Sequence, residues 1–181
     1  CQPMDMFRLD AAFSFGNWTM TDDVIGDYTY PLEGGDDTTI VESYYVKGLH
    51  IGDAPQTQMA FAFSVFPMAG LKAQMVYKYY DNHYADWNPF DRNNNQYEGT
   101  ESWMAPSYGV ADLHVIYDLP LNLYNTRMQA FLHVFNLLDE QYIQDAVDNS
   151  PYNSWDQDHD ADDAEVYFGL PMSWNMGVTV N

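Results

Sequence analysis

The sequence predicts an all-β chain, an antiparallel transmembrane β-barrel segment of about six strands. Three observations carry that expectation. Large apolar residues alternate with small or polar ones, the connections are by turns short and long, and aromatic residues gather where strands meet the long connections.

The alternation defines the strands in order. Phe7, Leu9, Ala11, Phe13 and Phe15 alternate with Arg8, Asp10, Ala12 and Ser14. Residues 59–65 set Met59, Phe61, Phe63 and Val65 against Ala60, Ala62 and Ser64. Residues 71–79 set Leu71, Ala73, Met75, Tyr77 and Tyr79 against Lys72, Gln74, Val76 and Lys78. Residues 111–117 set Ala111, Leu113, Val115 and Tyr117 against Asp112, His114 and Ile116; residues 128–137 follow less cleanly. Residues 174–180 set Trp174, Met176, Val178 and Val180 against Ser173, Asn175, Gly177 and Thr179. Side chains of a strand point to opposite faces in turn, so each segment has one apolar face.

A soluble sandwich shows the same alternation with its apolar face inward. The connections favour a membrane instead. The links 67–70 and 119–122 read as tight turns, and those around 21–40, 86–106 and 144–165 as long polar loops, the asymmetry of an outer-membrane barrel. Trp18, Tyr77, Tyr79, Tyr80, Tyr84, Trp87, Tyr108, Tyr142, Tyr167 and Phe168 fall where interfacial girdles would lie. No run approaches the roughly 18 apolar residues of a membrane helix, so any crossing is made by strands. A membrane barrel needs about eight strands, and hydrocarbon does not tolerate unpaired edge amides. On the membrane reading, further strands therefore complete the wall.

Composition narrows the function. The chain has 6 Lys and Arg against 27 Asp and Glu, a formal charge of −21, which repels phosphate backbones and excludes a nucleic-acid partner. Aromatics at 17% set it apart from acidic disordered chains, so the acid belongs to loops of an ordered protein. The single cysteine, Cys1, excludes an internal disulfide.

Several segments resemble the C-terminal end of TonB-dependent outer-membrane receptors, those of the Bacteroidetes type in particular. Gly48–Gln56 is similar to the entry into a descending strand, and Gly70-Leu71-Lys72, running on to Tyr84-Ala85-Asp86, to the next ascending one. Pro106-Ser107-Tyr108-Gly109-Val110-Ala111-Asp112-Leu113 resembles a P-x-Y-x-x-x-D opening. Val134-Phe135-Asn136-Leu137-Leu138-Asp139-Glu140-Gln141-Tyr142 resembles the N-L-hydrophobic-D-x-x-Y signature of the penultimate strand, and Gly169–Val178 the closing strand. These matches come in family order over nearly the whole chain.

The resemblance implies the last six strands of a barrel of about 22, in the outer membrane of a Gram-negative bacterium, with three loops outside the cell. It implies uptake of a large scarce solute, of siderophore, glycan or peptide class, and no catalytic site. Its partners would be outer-membrane lipid and lipopolysaccharide, upstream strands with a plug domain, a TonB-type energy-coupling protein, and a surface lipoprotein. A passive or structural barrel subunit, and a soluble all-β binding module lipid-anchored at Cys1, remain as alternatives.

Aromatic and amide side chains in the long loops are the candidate ligand contacts: Trp87, Phe90, Arg92, Asn93, Asn94, Tyr97, Trp103, Tyr152 and Trp155. Asp156, Asp158, Asp160, Asp162 and Asp163 present hard carboxylate oxygens suited to Ca²⁺, or to a solvated surface run. The spacing is not that of an EF-hand, since Ala161 and Tyr167 replace its glycine and its glutamate. His50, His83, His114, His133 and His159 show no metal-ligand spacing, although His114 and His133, in mid-strand, would face a wet lumen.

Overall fold

A computed structural model describes residues 5–31, 37–123, 126–149, 155–156 and 158–180. In chain order the strands are β1 (Phe7–Phe15), β2 (Val24–Pro31), β3 (Asp37–Tyr44), β4 (Thr57–Met68), β5 (Leu71–Asp81), β6 (His83–Tyr84), β7 (Asp86–Trp87), β8 (Met104–Ala105), β9 (Tyr108–Leu123), β10 (Thr126–Phe135), β11 (Ile143–Asp148), β12 (Ala164–Phe168) and β13 (Ser173–Val180). Among the described residues a short helix, α1 (Pro89–Arg92), and a 3-10 turn at Asn95–Tyr97 lie between β7 and β8. The chain is all-β, and the six strands expected from alternation form one antiparallel sheet in the order β1-β4-β5-β9-β10-β13. The sheet is open: β1 and β13 do not pair with each other.

Register carries the alternation from strand to strand without a change of phase. Leu9 lies opposite Phe63, Phe63 opposite Met75, Met75 opposite Leu113, Leu113 opposite Val134 and Val134 opposite Trp174. The adjacent row runs Arg8, Ser64, Gln74, His114, His133 and Asn175. Each row of side chains therefore belongs to one face. On the apolar face Leu9, Phe13, Phe61, Phe63, Met75, Trp174 and Met176 are all more than a third exposed, Trp174 at 61%. The polar face is cross-linked: Gln74 donates to Ser64 Oγ at 3.0 Å, Lys78 pairs with Asp112 at 2.7 Å, and Gln129 donates to Asp118 at 2.7 Å.

Among the described residues, the fully buried apolar side chains lie at or beyond the loop end of the sheet. Val46, Leu49, Ala85, Ala105 and Ala146 sit in the loops, and Val110 and Ala111 at the loop end of β9. All three long connections leave the same end of the sheet, since Phe15 pairs with Thr57, Tyr80 with Tyr108, and Phe135 with Ser173. They are not plain loops. Residues 21–40 hold β2 and part of β3, which pair over Val24–Tyr44; residues 144–165 hold most of β11 and the start of β12. Tyr28, Ile40 and Val41 supply the β-branched and aromatic content, which the interspersed acid obscured.

Two further expectations need correction. The link 67–70 is a tight turn, where Gly70 has φ +81° and a Cβ would stand 2.9 Å from Asp118 O, but 119–122 is not. Leu119 pairs with Met128 and Leu123 with Thr126, so Pro120 sits in a bulge of β9. A bulge leaves ladder positions unpaired and so accepts a residue with no N–H. The aromatics expected to form a girdle also divide between the two faces of the sheet. Tyr77 and Tyr79 lie on the apolar face, and the vacancy at Gly109 receives the Tyr77 ring. Tyr80, Tyr108 and Tyr142 instead stack with one another on the polar side, with centroids 5.0 and 4.5 Å apart.

Residues 106–113, 134–142 and 169–178 meet in space. Asn136, at φ +49° and 3% exposed, donates its backbone N–H to Asp112 Oδ1 at 3.0 Å. Its amide donates to Glu140 O and Leu170 O at 2.9 and 3.1 Å and accepts from Glu140 N at 2.9 Å. Asp139 accepts from Met172 N at 2.8 Å. One turn thus ties β10 to β9 and aims the chain into β13. Replacing a buried, fully bonded amide strands several backbone groups, and alanine disfavours positive φ. Asn136→Ala is expected to cost about 2–4 kcal/mol in equilibrium unfolding, and Asn93→Ala in an exposed loop within about 0.5 kcal/mol of wild type.

Candidate functional site: the loop layer

The long connections build a layer over one end of the sheet. The segment 16–20 is laid along 48–56 by backbone bonds: Gly16 N to Gln56 O (2.7 Å), Ile51 N to Trp18 O (2.9 Å) and Met20 N to Leu49 O (2.8 Å). His50 fastens this strip to the next loop. Its Nδ1 lies 2.6 Å from Glu101, its Nε2 lies 2.9 Å from Asn17, and its ring stacks on Tyr84 at 4.2 Å. Asp23 accepts from the backbone N–H of Val46 and of Lys47.

The expected ligand contacts separate into two sets. Arg92 does not reach out of a loop tip; it is completely buried. It donates to Thr100 O at 2.7 Å and Ser102 Oγ at 3.4 Å, and lies 3.7 Å from Asp148. Asp148 in turn is 2.8 Å from His159 Nδ1, and His159 N donates to Asp163 at 2.6 Å. Buried charges need such partners, and these four residues knit α1, β11 and the acidic loop together. Trp87 is half-buried beside Tyr44, with centroids 6.1 Å apart, and Trp103 is half-buried with its carbonyl accepting from Ala85 N. Phe90, Asn93, Asn94 and Trp155 are exposed, Trp155 fully. Asn94 caps the short turn after α1 through Gln96 N. Tyr152, the Tyr97 side chain and Cys1 lie outside the described residues.

The acidic loop divides likewise. Asp156, Asp158 and Asp162 are exposed and bring carboxylate oxygens within 4.8 Å of one another. Asp160 accepts from Asp162 N at 2.9 Å, which spends it on the turn, and Asp163 is buried. Desolvation, then repulsion from Asp160, Asp156 and Asp163, raises the Asp158 carboxyl above the usual carboxylate range. The hydrogen bond with Asp160 does the same for Asp162 and lowers Asp160. Three oxygens so placed match part of a Ca²⁺ shell.

A second group was not legible as a site. His83 is 4% exposed, neither of its ring nitrogens has a hydrogen-bond partner among the described residues, and burial pushes its pKa down against the pull of Asp145 and Asp53. Burial pushes the Asp86 carboxyl up, and Asp53 and Asp145 push it further. These four residues come from three separate stretches, at 53, 83–86 and 145, so no motif announces them.

A carboxyl raised in the folded state stabilises the fold below its unfolded value, and that contribution is lost as pH rises through the folded value. At about pH 7 the wild type therefore carries the cost of the Asp86 charge. Asp86→Asn is expected to raise the unfolding midpoint at about pH 7 and to leave it unchanged at about pH 3, read from thermal melts at the two values. His83 has the opposite dependence: its contribution is present above its unfolded value of 6.5 and is lost as pH falls.

Comparison of the chain with protein-family models and with curated proteins gives no match.

Proposed function

We propose that this chain is part of the wall of an outer-membrane β-barrel of the TonB-dependent transporter type, taking up a large scarce solute. The observation that supports it most is the bare apolar face. A large apolar side chain left in water forgoes about 1.5–3 kcal/mol, and the largest apolar patch on a typical soluble monomer is about 300–600 Å². Here a whole face of a six-stranded sheet is uncovered while the opposite face is cross-linked by polar side chains. Along β5 the face runs from Leu71 to Tyr79, roughly 26 Å at about 3.3 Å per residue. Tilted by about 35–45°, as barrel strands are, that length spans roughly 20 Å, most of the roughly 25 Å apolar band of a barrel wall. Tight turning at one end and a thick loop layer at the other also fit a barrel whose loops face outward.

The transporter part of the proposal rests on the resemblance, and on the contact between two of the resembling segments through Asp112 and Asn136. On this reading the exposed loop side chains of Phe90, Asn93, Asn94 and Trp155 are the ones that would meet a solute, while Arg92 and Trp87 hold the layer that presents them. Asp156, Asp158 and Asp162 would take Ca²⁺, or bridge to lipopolysaccharide through it. No bond-breaking chemistry is proposed.

The membrane reading predicts which tryptophan meets lipid. In vesicles containing brominated acyl chains, the full-length protein should lose the Trp174 emission and keep that of Trp155. Equal quenching of both, or recovery of the protein in buffer without detergent, would overturn it. Met75→Arg, on the apolar face, is expected to cost about 2–4 kcal/mol in vesicles, and Ala12→Arg, on the other face, less than about 1 kcal/mol. Added Ca²⁺ should raise the unfolding midpoint of wild type and not of Asp158→Asn.

A further inference from the structure

His114 and His133 come from adjacent strands and lie directly opposite each other in the β9–β10 ladder. Directly opposed residues are the closest side-chain neighbours a sheet offers. Their Nδ1 atoms are 2.9 Å apart, a hydrogen-bond distance, and their rings stand at 64°, so the two ring nitrogens face each other edge to edge instead of stacking. Phe131 and Phe135 hold the pair. Phe131 stacks on His133 with centroids 5.3 Å apart, and Phe135 lies 5.7 Å from His114 and 6.3 Å from His133. Both imidazoles are half-exposed, so solution reaches them, and neither makes another hydrogen bond among the described residues.

We propose that His114 and His133 form a two-nitrogen chelating site for a borderline divalent transition metal: Cu²⁺, Ni²⁺ or Zn²⁺. Imidazole nitrogens bound side by side to one such ion at about 2.0–2.1 Å stand roughly 2.9–3.3 Å apart, the separation found here. Neutral imidazole is the ligand these ions favour, and no carboxylate lies directly beside the pair in its row to draw a hard cation. Asp112, on the same face, is committed to Lys78 and to Asn136 N. Lys72 bonds Gln74, the residue opposite His114, and its charge further disfavours an ion held by electrostatics alone. Binding needs no net loss of protons. The ring that donates Nδ1–H moves that proton to Nε2, and both Nδ1 lone pairs become ligands. Asn175, next in the row beyond His133, offers an amide oxygen on the same face, and water completes the shell. The site follows from strand register, so it stands whether or not the apolar face meets lipid.

The test uses the full-length protein in detergent with millimolar Mg²⁺ present to occupy loop carboxylates, and Cu²⁺ as the probe. The expected result is one equivalent bound, with an electron-spin-echo spectrum showing two imidazole nitrogens. His114→Asn and His133→Asn should each weaken binding by at least about tenfold, since loss of a ligand costs no less than loss of its supporting partner. The double variant should be little worse than either single one, and Asp158→Asn should bind as wild type does. Unchanged affinity in His133→Asn would overturn the proposal and leave the pair as a shared-proton hydrogen bond. If a variant does not fold, the wild-type spectrum decides: one nitrogen, or oxygen alone, is equally fatal.

Discussion

Everything in this molecule depends on six strands keeping one phase. Because the side-chain period of a strand is two, a slip of one residue in any ladder would turn Phe61 and Phe63, or Met75 and Tyr77, onto the face that carries Arg8, Gln74, His114 and Lys78. The phase survives five ladders, even though two of the hairpins carry irregularities, one after Val65 and one between Thr126 and Met128. Both lie at the turn end, past the rows where the two faces are most distinct. The irregularities absorb the turns without disturbing the register above them.

Register alone does not fix the loop end. There Asp112 and Asn136 work as a latch: a carboxylate on β9 receives the N–H of a left-handed residue just past β10, and the amide of that residue grips the chain at Glu140 and Leu170 before β13 begins. Lys78 on β5 compensates the carboxylate. Three strands and the route to a fourth therefore share one polar node. The residues that stand out in the sequence as a family-like signature are, in the structure, residues of this node. Their spacing reflects backbone geometry before any contact with a solute.

Legibility followed the strength of the period. β1 and β13 were readable within a residue of their ends because their alternation is unbroken. β9 was read short because Pro120 mimics a turn, while in space a bulge accommodates it. The strands inside the loops were missed because acid and glycine interrupt their apolar residues, as Gly26 and Asp27 do in β2. Site residues were hardest. Arg92 looked like a loop-tip cation, and only three-dimensional proximity to Asp148 shows it to be an interior strut. Phe90 and Trp155 were readable as exposed aromatics, but what sets them beside other groups is the path of three separate loops, which no local pattern encodes. The Nδ1 contact of His114 and His133 depends on register across β9 and β10, a quantity that neither histidine's neighbours in sequence determine.

The order of strands in the sheet has a kinetic consequence. β4 and β5 are joined by a tight turn, β9 and β10 pair from Leu123 opposite Thr126, and hairpins between strands so near in sequence form in about 1–10 μs. β1 reaches β4 only across residues 16–56, and β13 reaches β10 only across 136–172, so their pairing must close large loops and organise β2–β3 or β11–β12 on the way. The sheet therefore grows outward from two local hairpins, and its flanks are the slowest parts to arrive. Those flanks are also where backbone groups face away from the sheet. Completion of the fold and recruitment of whatever lies beside it fall at the same late moment, and a chain held up there would offer sticky, half-made edges to its neighbours.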